Sequence, residues 1–79
     1  MNTYNEVVIM RKKEQIKLNE REIEKLNTQI ANLEKKKVGQ TKSVILKSIE
    51  LELRQKLELR KTLIEKNRIE ATIILGLMK

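Results

Sequence analysis

The chain has 79 residues, of which 37% are charged, with a formal net charge of +7 and no Cys, His, Pro, Trp or Phe. The lack of Cys and His excludes disulfides, thiolate zinc sites, and the commonest general base and metal ligand. The surplus of cations favours acidic partners, and a core of Ile and Leu with a single Tyr suits interlocking helices.

The first half of the chain has the heptad pattern of a coiled coil. Ile recurs every seven residues from position 9 to position 30, and Leu26 and Leu33 fill the second apolar position of the last two heptads. In the two earlier heptads that position holds Lys12 and Asn19. A polar residue in such a seam either fixes the register of pairing or is a tolerated mismatch, and both interpretations stay open for Asn19.

The segment KKKVGQTKS, residues 35–43, interrupts the helical pattern. A helix that continued straight through Gly39 would place Gln40, Lys47 and Arg54 at seam positions, where apolar residues are needed. A continuous rod is therefore the weaker alternative. The pattern predicts an antiparallel hairpin, in one domain of residues 1–79.

Helix boundaries follow from the residues around this glycine. Lysines in a last turn followed by Gly are typical of a left-handed helix stop, and Thr41 and Ser43 are N-cap candidates for a new helix. The sequence thus predicts a first helix over about 4–38, a turn over 38–43 and a second helix over about 43–77.

The second half carries an apolar stripe that would meet the first helix. At about 100° per residue its members share one narrow arc, interrupted by Arg60. Antiparallel pairing would set Leu33 against Leu46 and Ile16 against Ile64. The stripe consists of Leu46, Ile49, Leu53, Leu57, Ile64, Ala71, Leu75 and Met78.

A second apolar arc lies on another side of the second helix, flanked by Ile45 and Leu51. A helix that is apolar on two faces is buried on two faces, so we expect a second partner for it. The simplest solution is self-association, with two hairpins forming a four-helix bundle. The alternative is a set of scattered surface leucines. The residues that would form this oligomer or partner interface are Leu59, Leu63, Ile69, Ile73 and Leu77.

No catalytic, cofactor or metal site is expected. The Glu and Lys residues of the second half fall mostly in i, i+4 pairs, such as Glu52 with Lys56, which are typical of a solvated helix surface. Neither a glycine-rich phosphate loop nor a nucleophile–base pair is present in the sequence. The chain is therefore not expected to be an enzyme.

Two basic clusters raise the alternative of nucleic-acid binding. A hairpin would carry one toward each end and could straddle phosphates with little sequence preference. The chain has no aromatic stacking platform, and solvated helix ends would explain the lysines equally well. One cluster is Arg11, Lys12 and Lys13 beside Lys66 and Arg68; the other is the turn, with Lys35, Lys36, Lys37, Lys42 and Lys47.

These observations favour a small regulatory or interaction protein that self-associates, most simply as a homodimer, and docks on another protein. Structured RNA or duplex DNA is the alternative partner. Membrane contact is not expected, because the longest near-apolar run, residues 71–78, is far shorter than the ~20 residues of a membrane span. We expect a cytoplasmic location, since the N-terminus lacks a signal-peptide pattern. A small basic hairpin rich in Ile, Lys, Asn and Glu would suit a phage or plasmid accessory gene.

Overall fold

Two long helices contain nearly all of the residues that the computed structural model describes, which are residues 3–79. Helix α1 spans Thr3–Gly39 and helix α2 spans Ser43–Met78. They pack against each other along a body with extents of 60 × 15 × 13 Å. Because only residues 40–42 connect them, the two helices run antiparallel. The predicted all-α, two-helix hairpin is confirmed.

The end of α1 differs from the left-handed glycine stop that the sequence predicted. Gly39 is the last residue of α1, and no glycine in residues 3–79 has a positive φ. The backbone N–H of Gln40 instead donates to the carbonyl of Lys37 at 3.2 Å. A bond of this i→i−3 type tightens the last turn and satisfies one carbonyl that would otherwise lack a partner. The prediction of a left-handed stop is therefore wrong.

The turn itself is held by the side chain of Gln40. Its Oε1 accepts hydrogen bonds from the backbone N–H groups of Thr41, at 3.1 Å, and Lys42, at 3.0 Å. The N-cap of α2 is Lys42, which makes no side-chain cap bond, and its carbonyl accepts from the N–H of Leu46 at 2.9 Å. Thr41 and Ser43 lie one residue on either side of the cap position, so the prediction that one of them caps α2 is wrong.

The contact face of α1 follows the predicted heptads. Ile9, Leu26, Ile30 and Leu33 are buried, and the intervening isoleucines at 16 and 23 are half-buried. Near the turn, Leu26, Ile30 and Leu33 form a core cluster with Ile49 and Leu53 of α2. Each fully buried side chain of this size contributes roughly 1.5–3 kcal/mol, so this cluster is the main apolar anchor of the hairpin.

The contact face of α2 is a regular coiled-coil seam that contains four polar residues. Its members are buried or half-buried, and their spacing alternates between three and four residues, the mark of a 3.5-residue repeat. Leu63 packs against the core cluster from this seam. The seam consists of Leu46, Ile49, Leu53, Lys56, Arg60, Leu63, Asn67, Glu70, Ile74 and Leu77.

The apolar stripe predicted for α2 is therefore wrong beyond Leu53. Its later large members, Leu57, Ile64, Leu75 and Met78, are exposed. The predicted stripe stepped four residues from Leu53 to the apolar Leu57, whereas the seam steps three residues to Lys56 and keeps the alternating spacing of a 3.5-residue repeat. The later predicted residues each directly follow a seam residue, so they lie beside the seam.

The register of pairing also differs from the predicted one. The sequence would set Ile16 against Ile64, but the side-chain N–H of Asn67 donates to the carbonyl of Ile16 at 3.3 Å. Asn67 lies three residues beyond Ile64, so α2 is displaced by nearly one helical turn. Polar side chains that pair across the seam accompany this displacement, among them Lys12 with Glu70.

Candidate interaction surfaces

A hydrogen-bonded polar layer crosses the hairpin seam at Asn19. This side chain is only 7% exposed, and its amide donates to the Oδ1 of Asn67 at 2.8 Å. Its own Oδ1 accepts from the Nε2 of Gln15 at 3.0 Å. Since Asn67, which is half-buried, also donates to the Ile16 carbonyl, both amides have partners, and no described buried side-chain N or O atom lacks one. The layer is therefore part of the contact between the two helices.

Asn67 is a seam residue that the sequence reasoning missed. A buried Asn on one helix needs a polar partner on the other, because an unpaired buried amide costs about 1–3 kcal/mol. Asn67 is the only Asn in residues 41–79. The need of Asn19 for a polar partner was the available signal. Pairing Asn19 with Asn67 would also have corrected the predicted register of the two helices.

An ion pair joins the two helices one heptad farther from the turn than Asn19. The Nζ of Lys12 lies 2.8 Å from the Oε2 of Glu70, with both side chains about three-quarters buried. Lys12 was predicted to contact nucleic acid, and in the structure its ammonium is engaged inside the hairpin. Farther toward the turn, Arg60 donates to Asn27 and Lys56 donates to Gln29, at 2.8 and 3.1 Å.

One flank of α2 carries a row of exposed apolar residues. Each member directly follows a seam residue and therefore lies about 100° to the same side of the seam. Ile64 is 52% exposed and Met78 is 54% exposed, although both were expected inside the hairpin. We name this set the outer row; it consists of Leu57, Ile64, Ala71 and Met78.

The other flank of α2 holds most of the interface that the sequence predicted. Leu59 and Ile73 each directly precede a seam residue, and Ile69 lies on the same side of the helix. These three side chains, named here the opposite flank, are 40–46% exposed. The other two predicted residues are Leu63, which packs on the hairpin core, and Leu77, which is half-buried in the seam.

The basic cluster at the turn is largely solvated. Lys37 lies 3.7 Å from Glu50, and it is the only lysine of this cluster, within residues 3–79, with a carboxylate at ion-pair distance. The others are exposed, so several positive charges stand together at one end of the rod. They are Lys35, Lys36, Lys42 and Lys47.

The second basic cluster is less compact than predicted. Arg11 and Lys13 are exposed on α1, and Lys66 lines a shallow groove of about 310 Å³ together with Gln15 and Ile69. Arg68 forms an ion pair with Glu65 of the same helix. No contact described in the structure joins Arg11 or Lys13 to Lys66 or Arg68.

Glu65 and Arg68 form the tightest exposed ion pair. The Nη2 of Arg68 lies 2.6 Å from the Oε1 of Glu65, and its Nε donates to both carboxylate oxygens. This hydrogen bonding, supported by the charge of the guanidinium, lowers the pKa of Glu65 below its ordinary value. The same bonding raises the pKa of Arg68.

Within residues 3–79 no three potential metal-ligating side chains stand together, and neither helix has the length and hydropathy to cross a membrane. Comparison with protein-family models, with curated proteins and with solved structures found no match.

Proposed function

We propose that the protein is a non-enzymatic helical interaction protein that self-associates through α2 and docks on another protein. The observation that carries this proposal is the distribution of exposed apolar side chains. Of the fifteen large exposed hydrophobic residues in the described chain, ten lie on α2. They occur on both sides of a seam that α1 already covers, so α2 is apolar on more faces than one hairpin can bury.

Two hairpins that share one flank of α2 would form a four-helix bundle. Such a dimer is the simplest closed assembly for a single self-complementary surface. It would leave the other flank free for a partner protein, and an amphipathic helix in a groove is a common mode of such docking. We propose a regulatory role for this assembly. The 37% of charged residues and the absence of Cys support a cytoplasmic location.

Sedimentation equilibrium of the full chain tests self-association. We expect the weight-average mass to rise from that of the 9.3 kDa chain toward twice that value with concentration. The melting temperature should rise with it, because assembly stabilises only the folded state. A single 9.3 kDa species with a concentration-independent melting temperature would contradict self-association.

Docking on a protein partner is tested by a pair of matched variants. A complex isolated with the full chain should be lost when Ile69 and Ile73 are both replaced by Glu, because the substitutions place charge in the proposed contact. The complex should survive in the double variant that carries both Lys35→Gln and Lys36→Gln. The reverse pattern would show that cations, and not the apolar flank, hold the partner.

Nucleic-acid binding is the second candidate, and the solvated lysines at the turn favour it. Phosphate contacts would make binding fall steeply with salt, with a slope of log K against log[salt] of about −0.9 per contact on duplex DNA. Replacing Lys35, Lys36 and Lys42 with Gln should flatten this slope, whereas replacing Arg11 and Lys13 tests the opposite end. Binding without salt dependence would remove this candidate.

A further inference from the structure

The outer row repeats every seven residues over three heptads, and this spacing matches the repeat of the seam. A row with this repeat keeps a constant position along a supercoiled helix, so one further helix can contact all of its members. Cations with the same spacing border it on the solvent side. These are Arg54, Lys61 and Arg68.

The outer row is self-complementary when two copies of α2 run antiparallel. Leu57 then faces Met78 of the other copy, and Ile64 faces Ala71. In the central Ile64–Ala71 pairs a large side chain lies opposite a small one, which lets the two helices interlock there. Parallel, in-register pairing would place Ala71 opposite Ala71, and this would leave a gap in the middle of the contact.

The bordering cations do not oppose this direction. Antiparallel pairing separates the copies of Arg54 and Lys61 along the rod. Only Arg68 lies near the two-fold axis, and its guanidinium is held by Glu65 at 2.6 Å, which offsets the charge there.

The face that carries the outer row has grooves near both ends of the hairpin. Toward the turn, a groove of about 510 Å³ is lined by Leu53 and Leu57 and by charged side chains of both helices. At the open end, a groove of about 420 Å³ is lined by Ile9, Met10 and Met78, among others. Antiparallel pairing would bring Met78 of one copy to the Leu57 groove of the other.

The elongated hairpin leaves more surface exposed than a compact monomer of its mass would have. The chain exposes 6371 Å², whereas a compact monomer of its mass would expose about 5,000 Å². The difference of about 1,400 Å² exceeds the roughly 800 Å² that each partner buries in a standard interface.

We propose that a second copy of this chain covers the outer row, with α2 packed antiparallel on α2 about a two-fold axis between Asn67 and Arg68. The proposal rests on the self-association proposed above and names the surface that performs it. It assigns the opposite flank, Leu59, Ile69 and Ile73, to the partner protein.

Charge substitution on the two flanks separates this interface from the other one. Ile64 lies outside the hairpin seam, so Ile64→Glu should keep the helix content while it raises the dimer dissociation constant about tenfold or more. Ile69→Glu is the matched control, because Ile69 has a similar exposure of 44%. We expect it to change the constant by less than about threefold. Dissociation by Ile69→Glu alone would overturn the proposal.

Disulfide trapping determines the direction of pairing, and the chain has no native cysteine to interfere. Bridged cysteines have Cα atoms less than about 7 Å apart. Arg68→Cys should therefore link to its own copy, and a mixture of Leu57→Cys with Met78→Cys should yield the mixed dimer. Leu57→Cys alone should stay unlinked, since its two copies would lie about 30 Å apart.

The outcomes separate this proposal from self-association in general. A dimer that survives Ile64→Glu, or that links through Leu57→Cys alone, would overturn the outer-row interface while self-association stands. A chain that sediments as a monomer at all concentrations would overturn both.

Discussion

Asn19 and Asn67 are joined across the hairpin by a 2.8 Å hydrogen bond between their side-chain amides. The bond lies in the seam between the two helices, and Gln15 and the Ile16 carbonyl satisfy the neighbouring polar atoms. A shift of either helix by one turn would leave a buried amide without a partner, at a cost of about 1–3 kcal/mol. The layer therefore favours one register of the hairpin over its neighbours.

Breaking this layer should destabilise the hairpin. Asn67→Ala leaves the buried Asn19 amide N–H without its acceptor, and we expect the free energy of unfolding to fall by about 1–3 kcal/mol. The measurement is urea denaturation followed by circular dichroism at one fixed protein concentration. Replacing both Asn19 and Asn67 with Leu should cost less than Asn67→Ala alone, because no unpaired amide remains. A double variant less stable than the single one would show that the layer acts in another way.

The core cluster near the turn should supply most of the apolar stability. Leu26 is 2% exposed, so Leu26→Ala should lower the free energy of unfolding by about 2–5 kcal/mol through lost contacts and a residual cavity. Leu51 is 53% exposed on α2 and provides the control, and Leu51→Ala should change stability by less than about 0.5 kcal/mol. Chemical denaturation of both variants checks the difference. Equal losses would contradict the assignment of the core.

Much of this fold could be predicted from the sequence because the two strongest signals are local. The heptads of α1 identified its contact face, including Asn19, and the failure of that pattern beyond Leu33 predicted the turn. Both inferences needed only the spacing of residues within one helix. The details of the turn were not predictable in this way, because Gln40 acts there through a side-chain bond that no residue preference signals.

The contact face of α2 was harder to predict, since it depends on the other helix. Hydrophobicity alone selected Leu57 and Ile64, which lie beside the seam, over Lys56 and Arg60, which lie in it. Polar residues enter this seam because α1 offers Asn27 and Gln29 as partners. The exposed outer row, which is the basis of the proposed dimer, was consequently assigned to the interior.

The Glu65–Arg68 pair gives a prediction for pH dependence. Because the folded chain lowers the pKa of Glu65 below its ordinary value of 4.5, the ion pair contributes stability above that value. This contribution is lost as the pH falls through the folded-state pKa. NMR titration of the Glu65 carboxylate should give a pKa below 4.5, and Arg68→Gln should return it toward that value. An unchanged pKa in the Arg68→Gln chain would show that the pair does not form in solution.

The central structural claim is that α2 folds back antiparallel to α1, because this packing determines which faces of the two helices are exposed. Spin labels at Lys13→Cys and Lys66→Cys measure it directly, with labelled chains diluted in unlabelled protein so that only distances within one chain are seen. Packed helix axes lie ~8–10 Å apart, so the hairpin predicts a label separation within roughly 20 Å. A distance of ~80 Å, the helical rise over the intervening residues, would show a continuous rod and contradict the hairpin.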